Sequence, residues 1–157
     1  MSFEVSVRKL PAQQAAVIEI SAHPSEMLAT ITSGYNRLSA AIAAAGLEPA
    51  GPPFFVMEEV FDDEQPARIR LGYPVTTPFP PDGEVHCTEL AACEVATTIH
   101  RGPFSEAGPA YRAIEEWISA NDYVAIGLPW EVYLVSPADT TDALQYVTEI
   151  HIPIASR

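Results

Sequence analysis

The stretch Leu10-Pro11-Ala12-Gln13-Gln14-Ala15-Ala16-Val17-Ile18-Glu19-Ile20 is answered about eighty residues later by Leu90-Ala91-Ala92-Cys93-Glu94-Val95-Ala96-Thr97-Thr98-Ile99. In both places a short break is followed by an apolar run. Other echoes hold the same offset. Ser33-Gly34-Tyr35 returns as Pro109-Ala110-Tyr111, and Pro53-Phe54-Phe55-Val56 as Pro129-Trp130-Glu131-Val132. Tyr73-Pro74-Val75 returns as Ile152-Pro153-Ile154, so partners stay about 76 to 80 residues apart throughout. Such self-similarity predicts two copies of one supersecondary unit, at about 1–78 and 84–157, within a single domain of 157 residues. A duplicated unit leaves a seam where a small ligand can lodge.

Working outward, the segments 3–9 and 15–20 read as two strands of a hairpin about Leu10-Pro11-Ala12. Met27, Leu28, Ile31, Tyr35, Leu38 and Ile42 then recur every three or four residues. They form one helical stripe, with Pro24 suited to its first turn and Gly46 to its end. The alanines of 40–45 suggest close helix packing. Strands follow at 54–61 and 68–75 around the loop Asp62-Asp63-Glu64-Gln65-Pro66, and the proline-rich 76–83 reads as the linker. The second half repeats the order. Strands at 85–90 and 93–101 form a hairpin about Ala91-Ala92, and a helix over 105–120 is capped by Ser105 and striped by Tyr111, Ile114, Trp117 and Ile118. Strands at 130–136 and 144–154 finish it. The fold class is α+β: duplicated strand-strand-helix-strand-strand units, an antiparallel sheet, and two helices on one face.

A net charge of −13 argues against nucleic-acid contacts, which need a basic surface, and suits cationic ligands or plain solubility. Met1-Ser2-Phe3-Glu4 lacks the basic start of a signal peptide, and no run reaches the roughly 18 apolar residues of a spanning helix. A cytoplasmic protein without a membrane segment is expected. In that compartment Cys87 and Cys93 read as free, buried thiols. The four histidines, His23, His86, His100 and His151, share no zinc spacing, so neither metal nor cofactor is expected.

Glu131 is the leading candidate for chemistry. It interrupts the apolar strand Leu128-Pro129-Trp130-Glu131-Val132-Tyr133-Leu134-Val135, and alternation sets it on the face of Tyr133 and Val135, opposite Trp130. An unpaired carboxylate among aromatic groups is expensive to bury, so it is either solvated at a strand end or kept to meet a donor or cation. Its repeat partner is Phe55. The aromatic set Phe104, Tyr111, Trp117, Trp130, Tyr133 and Tyr146, with Tyr35, Phe54, Phe55 and Tyr73 in the first half, is mostly core by periodicity. Tyr146 is placed on the strand face of Thr148, Ile150 and Ile152. His100-Arg101-Gly102-Pro103-Phe104 reads as a tight turn delivering Phe104 to the helix start, and no nucleophile motif accompanies His100. Glu58-Glu59 and Asp62-Asp63-Glu64 read as a solvated strand end and loop.

The runs Ile99-His100-Arg101-Gly102-Pro103-Phe104, Ala110-Tyr111, Glu116-Trp117-Ile118, Trp130-Glu131-Val132-Tyr133 and Glu149-Ile150-His151-Ile152-Pro153-Ile154 resemble the GyrI-like small-molecule-binding domain, also called the AraC-type effector-binding domain. The resemblance covers essentially the whole chain. It implies a bacterial protein with pseudo-twofold symmetry that binds hydrophobic, often cationic, aromatic compounds between its halves, as multidrug sensors do. It also implies that Glu131 faces the ligand charge, with Phe104, Tyr111, Tyr133 and Tyr146 at aromatic or pocket-facing positions; Trp130, Phe55 and Tyr35 complete the expected ligand-binding set. The chain offers no room for the DNA-binding region of the family's regulators, so a stand-alone binder is expected. Two alternatives stay open. One is a hydrolase of cyclopropane-containing compounds in which Glu131 acts as base and Tyr133 or Tyr146 assists. The other is a modulator of DNA gyrase, its acidic surface docked on a basic partner.

Overall fold

The computed structural model describes residues 3–58, 66–137 and 139–157. Among the described residues the strands of each compact unit pair antiparallel, and two helices complete an α+β fold. The chain divides into two compact units, one of Ala12–Ala91 and the other of Met1–Pro11 with Ala92–Arg157. These boundaries differ from those of the sequence repeats, and the reason lies in strand pairing.

Strand β1 (Ser6–Leu10) pairs with β6 (Cys93–Arg101), with Leu10 opposite Cys93 and Ser6 opposite Thr97. Strand β2 (Gln13–Ala22) pairs with β5 (His86–Leu90), with Gln13 opposite Leu90. Neither expected hairpin therefore exists, and the first strands of the two repeats are exchanged. A two-residue hairpin loop needs residues at positive φ, usually Gly, Asn or Asp. Pro11-Ala12 and Ala91-Ala92 supply none. Positive φ among the described residues falls only at Gly46, Gly83, Gly102 and Asp122.

In the unit Ala12–Ala91 the strand order is β5–β2–β4–β3, with β3 at Phe54–Met57 and β4 at Ala67–Pro74. Helix α1 (Met27–Ala44) follows a single 3-10 turn at Pro24–Glu26 and buries Gly34, Leu38, Ala41 and Ile42 against Ala16, Ile18, Ile69 and Leu71. Gly34 sets how near the helix lies, because a β-carbon there would stand 2.6 Å from Leu71 Cδ1. Two details correct the sequence reading. Leu28 lies at the edge of the stripe and is 76% exposed. Of the alanines over 40–45, only Ala41 is buried. Phe61 and the loop residues Asp62 to Gln65, like Glu59, lie outside the described residues. Glu58 is not simply solvated: it pairs with Arg70 at 3.0 Å and Arg68 at 3.9 Å.

In the other unit β6 lies between β1 and β9 (Val147–Ser156), and β9 also pairs with β8 (Trp130–Val135) and with a short strand, β7 (Tyr123–Ala125). Strand β7 was absent from the sequence reading, being only three residues long. Helix α2 (Gly108–Ala120) covers one face, burying Ala110, Ile114 and Ile118 against Ala96, Ile150, Ile152 and Ile154. Ser105 does not cap it. Phe104–Glu106 forms a separate 3-10 turn, Ala107 takes the cap position without a side-chain bond, and Pro109 sits in the first turn. Cys87 and Cys93 are free thiols but only half-buried, and burial raises the pKa of Cys93. No described helix is long and apolar enough to cross a membrane.

Candidate functional site

Five of the candidate residues meet within one unit. Register sets Glu131 opposite Ile150 and Tyr133 opposite Thr148, both buried, so the Glu131 and Tyr133 side chains lie on the face that α2 covers. A β-bulge between Tyr133 and Val135 then ends the alternation. The stripe Ala110, Ile114 and Ile118 fixes the roll of α2, and Tyr111 points its hydroxyl at the strand. That hydroxyl donates to Glu131 Oε2, and the Tyr133 hydroxyl donates to Oε1 at 3.2 Å. Glu131 is half-buried and, among the described residues, forms no ion pair with a basic side chain.

The turn after β6 supplies the aromatic wall. Gly102 at φ 112° lets the chain reverse, its amide donates to the Tyr146 carbonyl at 2.9 Å, and His100 Nε2 lies 2.8 Å from the Pro103 carbonyl oxygen. Phe104 is thereby delivered as the sequence implied. Its ring stacks on Tyr146, with centroids 4.9 Å apart, and tilts against Tyr133 at 5.3 Å. Tyr146 reaches this stack from the end of a 3-10 turn (Ala143–Gln145), one residue before β9, not from the strand face expected. His100 is buried and bound to a carbonyl oxygen, which gives it a structural role in the turn.

Three candidates are not among these five. Trp130, on the opposite side of β8, stacks on His151 with centroids 5.1 Å apart. Tyr35 and Phe55 belong to the other unit, where both pack on its core and the Tyr35 hydroxyl donates to the Phe54 carbonyl at 2.7 Å. The sequence reading did not foresee that Tyr111 donates to Glu131, although a buried hydroxyl must find an acceptor. Nor did it find the cluster behind Trp130. There Glu149 Oε1 accepts from Arg8 at 2.9 Å and lies 2.7 Å from His151 Nε2. The His151 bond, opposed by burial and aided by Arg8, holds the Glu149 carboxyl below the usual carboxylate range.

The electrostatics of the five residues follow from this packing. Burial raises the pKa of Tyr111 far above the ordinary phenol value, and the Glu131 charge and hydrogen bond add to the shift. The pair is thus a carboxylate held by a phenol that keeps its proton. Cavities open in the same unit, among them two lined by described residues. The larger, about 790 Å³, lies along β1 and β6 beside Arg8, Thr97, Ile99 and Glu149. The other, about 530 Å³, lies beside Tyr146. Glu131 lines neither, and its two oxygens accept from the two tyrosine hydroxyls. Among the described residues no group of side chains could hold a metal ion.

Solved structures share this fold. The EcmrR C-terminal domain matches over 100% of both chains, at a TM-score of 0.82 and 17% identity. The EcmrR–DNA complex gives 0.86, also at 17% identity, and the chain covers 99% of its own length but 58% of that chain. SAV2435 bound to tetraphenylphosphonium matches at 0.58 and 13% identity, over 97% of this chain and 94% of that one. A hydrolase from Listeria innocua matches at 0.70 and 12%, over 97% and 92%. At such identities the likeness shows the fold alone. No curated protein matches the chain. The family match rests on the sequence itself and runs from residue 3 to 155: the chain belongs to the GyrI-like small molecule binding domain family.

Proposed function

We propose that the protein binds hydrophobic aromatic cations, with Glu131 as the charge partner and Tyr111, Tyr133, Phe104 and Tyr146 as the surrounding rings. One observation carries the reading. A half-buried carboxylate is held among aromatic side chains by two phenol hydroxyls and, among the described residues, forms no ion pair with a basic side chain. Phenols are weaker partners than a cation for a partly desolvated carboxylate. A ligand that displaces a hydroxyl and brings positive charge gains that difference. It adds roughly 0.5–2 kcal/mol for each aromatic face it meets. The family is one of small-molecule binders, and the structural neighbour SAV2435 was solved with the aromatic cation tetraphenylphosphonium, which supports the ligand class. Hydrolysis fits less well: a phenol pushed so far upward is a poor proton donor, and the carboxylate's oxygens are already engaged. A fluorescence panel of matched planar dyes tests the reading. Cationic dyes should bind more tightly than neutral isosteres. Equal affinities for the two series would overturn it.

A further inference from the structure

The chain holds 21 acidic residues against 8 basic ones, and most of its arginines are spoken for. Arg8, Arg37, Arg68 and Arg70 each pair with a glutamate. Arg101, at the end of β6, is exposed, and its side chain forms no ion pair or hydrogen bond among the described residues. It also lines the two cavities described above. The register explains the second placement: Arg101 and Val135 both stand opposite Val147, one on each side of β9. The 530 Å³ cavity is therefore walled by Val135, Leu144, Val147 and Tyr146, with Thr140 and Gln145 adding polar groups. The larger cavity is lined by Glu4, Glu106 and Glu149, whereas the smaller has no acidic lining residue. A cavity lined by apolar and polar side chains in nearly equal measure, with one guanidinium at its edge, suits a molecule that carries both an apolar body and an acidic head. The guanidinium fork matches carboxylate, sulfonate or phosphate oxygens.

We propose that this cavity is a second binding site, for amphipathic organic anions, with Arg101 gripping the acidic head and Val135, Leu144 and Val147 receiving the apolar body. Its charge preference is opposite to that proposed for the Glu131 site, and it does not rest on that reading. Tyr146 borders both sites, one through this cavity and the other through its stack on Phe104.

The test compares 8-anilinonaphthalene-1-sulfonate with its neutral relative N-phenyl-1-naphthylamine by fluorescence titration of the full chain. The wild type should bind the sulfonate more tightly. Arg101→Ala should weaken the sulfonate about tenfold while changing the neutral probe less than about twofold. Arg112→Ala removes the same charge from an exposed site on α2 outside both cavities, and should change neither affinity. Leu144→Asp should weaken both probes. Failure of the wild type to bind the sulfonate, or to prefer it, overturns the proposal. So does an equal loss in Arg101→Ala and Arg112→Ala, or a Leu144→Asp protein that binds like the wild type.

Discussion

The Tyr111 hydroxyl on α2 donates to the Glu131 carboxylate on β8, so one hydrogen bond ties the helix to the strand at the candidate site. A phenol in this position ionises with difficulty, because burial and the adjacent charge both oppose a phenolate. The sign follows from linkage. Tyr111's pKa is raised on folding, so its contribution to stability is complete below the ordinary tyrosine range near pH ~10. It is lost as the pH rises above that value, where the unfolded chain ionises first. Ultraviolet difference spectroscopy should find the Tyr111 phenol still protonated until alkaline unfolding, and Tyr111→Phe should remove that delayed ionisation. A Tyr111→Phe titration identical to wild type would refute the assignment.

Glu149 predicts the opposite limb. Its bond to His151, with Arg8 beside it, holds the carboxyl low, so the stability it adds is present above the ordinary carboxylate pKa near ~4.3. It is lost as the pH falls through the depressed folded value. Denaturant midpoints measured from neutral to acid pH should fall more steeply for wild type than for Glu149→Gln, which should start lower and change less. Parallel curves would count against this cluster.

At Gly72 on β4 an added β-carbon would meet the Phe54 ring at 2.3 Å. Both residues are buried and directly opposed in the β3–β4 ladder, so the ring has little room to move. Gly72→Ala should cost about 1–3 kcal/mol of stability. Urea unfolding gives the number, and a change below about 0.5 kcal/mol would show that Phe54 repacks freely.

Much of this was legible in the sequence because it obeyed a period. The stripes Leu38–Ile42 and Ile114–Ile118 gave both helices, and alternation put Glu131 and Tyr133 on one side of β8 with Trp130 on the other. Pairing was not legible in the same way. A strand's pattern names the face it buries but not the neighbour it joins, so adjacent strands were read as hairpins and the exchange of β1 and β5 was missed. Single side-chain bonds were hidden for a related reason. Tyr111 and Glu131 are 20 residues apart, and Arg8 and Glu149 are 141 apart; only tertiary packing unites them.

Phe104 offers a check on the aromatic wall. It is 40% exposed and touches both Tyr133 and Tyr146, so its removal should leave the fold intact. Phe104→Ala should weaken an aromatic cation by about 3- to 30-fold, as expected for one lost ring face. Phe104→Leu should recover little of it. Full affinity in both variants, measured by fluorescence titration, would exclude the ring from the site.

The most direct test is isothermal titration calorimetry of tetraphenylphosphonium against the wild type and Glu131→Gln, an exchange that keeps the shape of the side chain and removes its charge. The wild type should bind, and the variant should bind at least about tenfold more weakly. Equal dissociation constants, or no binding by either protein, would contradict the role given to Glu131.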